Sequence, residues 1–171
     1  MRFRDVKQFT QDGNYRVDIS WDYVEDWLAG HGDIGIELDP DFQRAHVWTE
    51  DQQRAFVEFS IKGGKGSNEL RFNCSGWMHA RQDGPMVLVD GKQRLEAVRK
   101  FLRGDLQILG GYTFSDFDDK LDMLVARFSV RVNDLATRAE VLQWYLDING
   151  GGVVHTDEEL DKVRRMLEND G

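Results

Sequence analysis

Asp90, Gly91, Lys92, Gln93 and Arg94 follow directly on the apolar run MVLV, residues 86–89, and open the amphipathic stretch LEAVRKFLRG. A strand that ends where a helix begins offers backbone N–H groups without intrahelical partners and the positive end of the helix dipole. Gly91 would let a ligand approach the backbone. Lys92 and Arg94 would add charge-assisted bonds to a phosphate, and Asp90 could hold a metal ion or position a water. A capping role alone accounts for part of this pattern: Asp90 suits an N-cap, and Gln93 lies three residues on, the spacing of a capping box. It leaves Gly91, which weakens a helix, and Arg94, whose charge opposes the dipole in the first turn.

Two further polar stretches repeat the theme. In PDFQRAHVW, residues 40–48, Phe42, Val47 and Trp48 are apolar anchors that hold Gln43 and Arg44 between them. In YLDINGGGVVHT, residues 145–156, Asn149 and Gly150 read as the end of a helix, and three consecutive glycines exceed what a C-cap requires. KGGKGS, residues 62–67, lacks the G-x-x-x-x-G-K-[ST] spacing and reads as a loop. The four histidines, at 31, 46, 79 and 155, show no paired ligand spacing, and Cys74 is the single cysteine.

PDFQRAHVW, then VDGKQRLEAVRKFLRG, then YLDINGGGVVHTDEEL together resemble the N-terminal domain of GmrSD-type restriction endonucleases, a member of the ParB/sulfiredoxin-like group. The agreement in order and approximate spacing covers residues 34 to 165. The resemblance implies a ParB/sulfiredoxin-like α+β fold, a mixed sheet with surrounding helices. It also implies NTP binding with Mg²⁺ and NTP hydrolysis, in systems of DNA processing or of restriction and phage defence. Carried over by motif, the catalytic set is Asp90, Gln93 and Arg94, with Asp90 on Mg²⁺. The nucleotide-binding set is Gln43, Arg44, Gly91, Lys92 and Asn149. Lys92 stands where the family has a glutamine, and Asp147 where it often has an arginine. Many relatives add a histidine-based nuclease half, and nothing in this chain points to stand-alone cleavage of the HNH kind. The alternatives are a non-catalytic module that binds a restriction or partition partner, and a nuclease-related protein that acts on DNA, directly or through a partner protein.

The elements that must position these residues are legible from periodicity. Residues 15–19 suit a strand, and SWDYVEDWLAG a helix capped by Ser20, with Val24, Trp27 and Leu28 on one face. Ile34, Ile36 and Leu38 alternate as in a half-buried strand. Thr49 and Gln52 predict a capping box at the head of a helix on which Phe56 and Phe59 share a face. Leu70, Phe72 and Cys74 mark a strand, MVLV a short strand buried on both faces, and residues 91–103 a helix burying Leu95, Val98 and Leu102. LQIL predicts a further strand and SDFDDKL a short helix. Residues 124–132 alternate Leu, Ala, Phe, Val and Val against Arg127, Ser129 and Arg131, the clearest strand pattern in the chain. Two helices with Thr/Glu boxes at 137/140 and 156/159 follow, the second with a stripe of Leu160, Val163 and Leu167. Intermingled strands and helices predict an α+β class with a mixed sheet.

The whole chain, 1–171, reads as one domain, with 1–14 an irregular arm and 134–171 a C-terminal helical pair. Hydrophobic residues at 40% and aromatics at 11% are those of a folded globule. No apolar run reaches the roughly 20 residues of a membrane helix, and no signal-peptide core opens the chain, so a cytoplasmic location without membrane contact is expected. A net charge of −9 argues against non-specific coating of nucleic acid.

Overall fold

The computed structural model describes residue 2 and residues 15–43, 48–64, 66, 68–79, 81–119, 121, 125–149 and 157–170. Within them the alternating segments become one five-stranded mixed sheet, and the class is α+β as expected. The strands are β1 (Tyr15–Ser20), β2 (Ile36–Glu37), β3 (Glu69–Asn73), β4 (Met86–Asp90) and β5 (Arg127–Asn133). Their order is β1-β5-β3-β4-β2. β1 pairs antiparallel with β5, β5 parallel with β3, β3 antiparallel with β4, and β4 parallel with β2. Helices α1 (Val24–Gly30), α2 (Glu50–Ile61), α3 (Lys92–Arg103), α4 (Arg138–Asn149) and α5 (Asp157–Asp170) surround it.

Period-2 side chains divide the sheet into two faces. Leu70, Phe72, Met86, Leu88, Phe128, Val130 and Val132 enter the main core, with Val57 of α2 and Leu95, Val98 and Phe101 of α3. On the other face Val87 and Val89 meet α4 and α5 through Val141, Leu142, Tyr145 and Val163. β4 is thus apolar on both sides, as its uninterrupted run requires. Across β3 and β5 the same second face is polar: Glu69, Arg71, Asn73, Ser129, Arg131 and Asn133.

Several expectations shift in detail. Ser20 heads a 3-10 turn, Trp21–Tyr23, without a side-chain cap bond. The strand expected around 34–38 shortens to two residues beyond Gly35, whose φ is 75°. LQIL forms a turn closed by the Ile108–Tyr112 bridge, with Leu109 at φ 50°. SDFDDKL contributes a 3-10 turn, Phe114–Asp116. On α2 the capping box forms as expected, but Phe59 is 54% exposed and the buried stripe is Gln53, Val57 and Ser60. Apart from residue 2, the arm 1–14 lies outside the described residues, as do Leu124, Thr156 and Gly150 to Gly152. No helix among the described residues is long and apolar enough to cross a membrane.

Candidate functional site

The β4–α3 junction is built around a glycine. Asp90 is the last residue of β4, and Gly91, at φ 104°, is the N-cap of α3. A Cβ at Gly91 would sit 2.6 Å from Leu70 Cδ2 and 2.9 Å from the Glu69 carbonyl oxygen. The space that a ligand was expected to use is filled by β3, and close strand packing demands the glycine. As N-cap, Gly91 brings no side chain to the first-turn amides, unlike Thr49 on α2. Asp90 is not the cap, and Gln93 does not close a box with it.

Asp90 and Arg94 meet one helical turn apart, Arg94 Nη2 donating to Asp90 Oδ2 at 2.7 Å. Arg94 Nε donates to the Glu69 carbonyl at 3.1 Å. The carboxylate just ahead of the helix offsets the cation that the dipole disfavours. Lys92 points elsewhere. Two residues along a helix rotate the side chain by about 200°, and Lys92 pairs with Asp39 on the loop after β2. Lys92 and Arg94, expected to clamp one phosphate together, lie on opposite flanks of the first turn.

The loop after β2 is clasped to this junction. Gln43 Nε2 donates to the Leu88 carbonyl, and Gln93 Oε1 accepts the Trp48 N–H at 3.0 Å. Phe42 packs into the second core against Tyr145, ring centroids 5.3 Å apart. Asp41 receives Arg138 of α4 at 2.9 Å, and its carbonyl receives Lys162 of α5 at 2.8 Å. Arg44, expected in the nucleotide-binding set, is outside the described residues. Asn149, at the end of α4, donates to the Tyr145 carbonyl of its own helix at 2.8 Å. It stands one turn beyond the ring that Phe42 covers.

A groove of ≈ 440 Å³ runs from Lys92 along α3. Leu38, Leu88 and Leu95 supply apolar surface, and Lys92, Arg99 and Lys100 outnumber Asp39 and Glu96. Its size is that of a small-molecule site. Arg99 is tied to Glu25 of α1 at 2.5 Å.

A second charged group, not singled out from sequence, adjoins the junction on the sheet. Glu69 accepts from Arg71 at 2.9 Å and from Arg131 at 3.0 Å. Burial pushes the Glu69 carboxyl up, but the two guanidiniums more than offset it and hold it below its ordinary value. The signal was present in the alternation of Arg127, Ser129 and Arg131, and of Glu69 and Arg71, opposite the apolar positions. It became a cluster only once β3 and β5 paired. Among the histidines, the His31 ring packs tilted against Trp27 with centroids 4.5 Å apart, and its Nδ1 lies 2.7 Å from the Trp27 carbonyl, a packing role. His46 and His155 lie outside the described residues. Cys74 is fully buried, and its thiol is pushed up by burial and by the charge of Asp134.

Chemically, the junction gathers Gln43, Asp90, Lys92, Gln93 and Arg94 at one end of β4. It can present helix-terminal amides to an anion beside a cation-rich groove. The chain matches no protein-family model, no curated protein and no solved structure.

Proposed function

We propose that this chain is a ParB/sulfiredoxin-like domain that binds a nucleotide at the β4–α3 junction. Its phosphates would lie at the N-terminus of α3 and the rest of the molecule in the groove along that helix. The observation that carries the reading is the α3 N-terminus, which has no side-chain cap and opens beside a groove where Lys92, Arg99 and Lys100 outnumber the acids. Gln43 and Trp48 are fastened to β4 and to the head of α3 by bonds to the Leu88 carbonyl and to Gln93.

Hydrolysis, in a DNA-processing or restriction-defence setting, is the further step of this proposal. It places Asp90 on Mg²⁺ or on the attacking water. Among the described residues no three acidic, histidine or cysteine side chains are placed to hold a metal ion by themselves. Asp90 would therefore share Mg²⁺ with the nucleotide's own oxygens, a common arrangement for that ion, and would have to leave Arg94. The cation supplies charge neutralisation at the phosphates.

A thermal-shift screen of nucleoside triphosphates with and without Mg²⁺ tests binding. A ligand at about a hundred times its Kd stabilises by about 2.7 kcal/mol, a rise of roughly 5–10 °C for a chain of this size. Lys92→Ala and Arg94→Ala should each shrink that rise. No shift with any nucleotide, or equal shifts in wild type and both variants, refutes the proposal.

A second reading is a non-catalytic interaction module for a restriction or partition partner. It is favoured by the ion pairs Asp39–Lys92 and Asp90–Arg94, which already neutralise both first-turn cations. Partner capture that ignores nucleotide, with no phosphate release, would select it.

A further inference from the structure

The end of the sheet away from the junction carries a different kind of site. β1 is the terminal strand and, among the described residues, pairs with β5 alone. In an antiparallel ladder alternate residues turn both backbone groups to the partner strand. The Trp21 N–H reaches the Ala126 carbonyl at 3.0 Å, one step beyond the Ser20–Arg127 pair. Tyr15, Val17 and Ile19 therefore face β5, and Arg16 and Asp18 turn their N–H and C=O groups outward. The strand contains no proline, and its register with β5 has no bulge, so it lacks two common devices that blunt an edge.

Along that edge runs a groove of ≈ 660 Å³, walled by the segment that leads into α1. Asp18, Asp22 and Asp26 line it together with Tyr15, Tyr23 and Trp27, and among the described residues no cationic side chain does. Asp22 and Asp26 make no ion pair among the described residues. Asp18 is held only at 3.6 Å by Arg127 and 3.9 Å by Arg16.

We propose that β1 accepts an extended basic segment of a partner protein as an added strand, with alternate Lys or Arg side chains in the Asp22, Asp26 and Trp27 groove. Outward backbone groups read any extended chain, and the lining selects its charge. Carboxylates pair with the cations, and the aromatic faces attract them as well. A second copy of this chain fits less well. Its own β1 would bring Tyr15, Val17 and Ile19 to the groove side, and its Asp22 and Asp26 would add like charge.

The test uses the full chain and a fluorescent peptide of about nine residues with Lys alternating with Thr, read by anisotropy. The proposal expects Asp22→Asn/Asp26→Asn to weaken binding about tenfold, the value of two partly exposed ion pairs. It expects Asp118→Asn/Asp119→Asn, an equal change in net charge at exposed positions, to leave binding within about twofold. A peptide of equal charge with proline at alternate Thr positions, unable to donate to the strand, should also bind about tenfold more weakly. Equal loss in both double variants would reduce the effect to bulk charge and overturn the proposal. So would equal binding of the proline peptide, or sedimentation as a dimer that the peptide does not dissociate. Circular dichroism of each variant confirms that a loss of binding is not a loss of fold.

Discussion

Replacing Gly91 with alanine separates a glycine kept for packing from one kept for ligand approach. The new Cβ would lie 2.6 Å from Leu70 Cδ2, a side-chain tip, and 2.9 Å from the Glu69 carbonyl oxygen, which belongs to a paired strand. The first neighbour can rotate away, but the second moves only with β3. The backbone conformation, φ 104°, costs a non-glycine residue about 1–2 kcal/mol. Overpacking against a fixed neighbour costs typically about 1–3 kcal/mol. The sum predicts a loss of roughly 2–5 kcal/mol, seen as a fall in Tm of about 4–20 °C. Urea unfolding followed by tryptophan fluorescence measures it, with Gly30→Ala as control. A Cβ added at Gly30 would meet no atom within 4 Å, and its φ is not positive, so its change should stay within about 1 kcal/mol. A Gly91→Ala loss below about 1 kcal/mol, or one equal to the control, refutes the packing argument and returns the glycine to the ligand.

Two further predictions concern the half-buried Glu69 carboxylate and the buried Cys74 thiol. The folded Glu69 carboxyl is held below its ordinary value by Arg71 and Arg131 acting against burial, so its contribution is full above the ordinary glutamate range and is lost as pH falls through the lowered value. Glu69→Gln should therefore flatten the acid limb of a stability-against-pH curve, and an unchanged limb would remove Glu69 from the balance. Cys74, fully buried with its thiol pushed up, should stay unlabelled by a thiol reagent at mildly alkaline pH and react fully in denaturant; rapid labelling of the folded chain would contradict the burial.

Local chemistry was readable in the chain and distant pairing was not. The Thr49–Gln52 box and the alternation that became β5 depend on neighbours a few residues away, and both formed. Phe59 failed because residues 53, 56, 57 and 60 form one continuous strip of α2, from which position 59 falls off. Two polar members of that strip donate to backbone, Gln53 Nε2 to the Trp48 carbonyl and Ser60 Oγ to that of Phe56. Polarity hid the buried face. At the junction the residue types were legible, and five of them lie at one end of β4, with Lys92 and Arg94 on opposite flanks. Their partners were not, because Asp39 for Lys92 and the Glu69 carbonyl for Arg94 arrive from the loop after β2 and from β3, far off in sequence. Gly91 stands out in the sequence as an unfavourable helix residue, and what lies against it is a strand.

The strand order carries a consequence for how the chain is made. β2, β3 and β4 can assemble early, but β1 joins them only through β5, and Arg16 meets Ser129 across 113 positions. At about 5–20 residues per second, the first strand waits roughly 6–23 s on the ribosome before its ladder partner exists. Throughout that interval both of its edges are open to capture, so a nascent chain halted before residue 133 should be the form most in need of a chaperone.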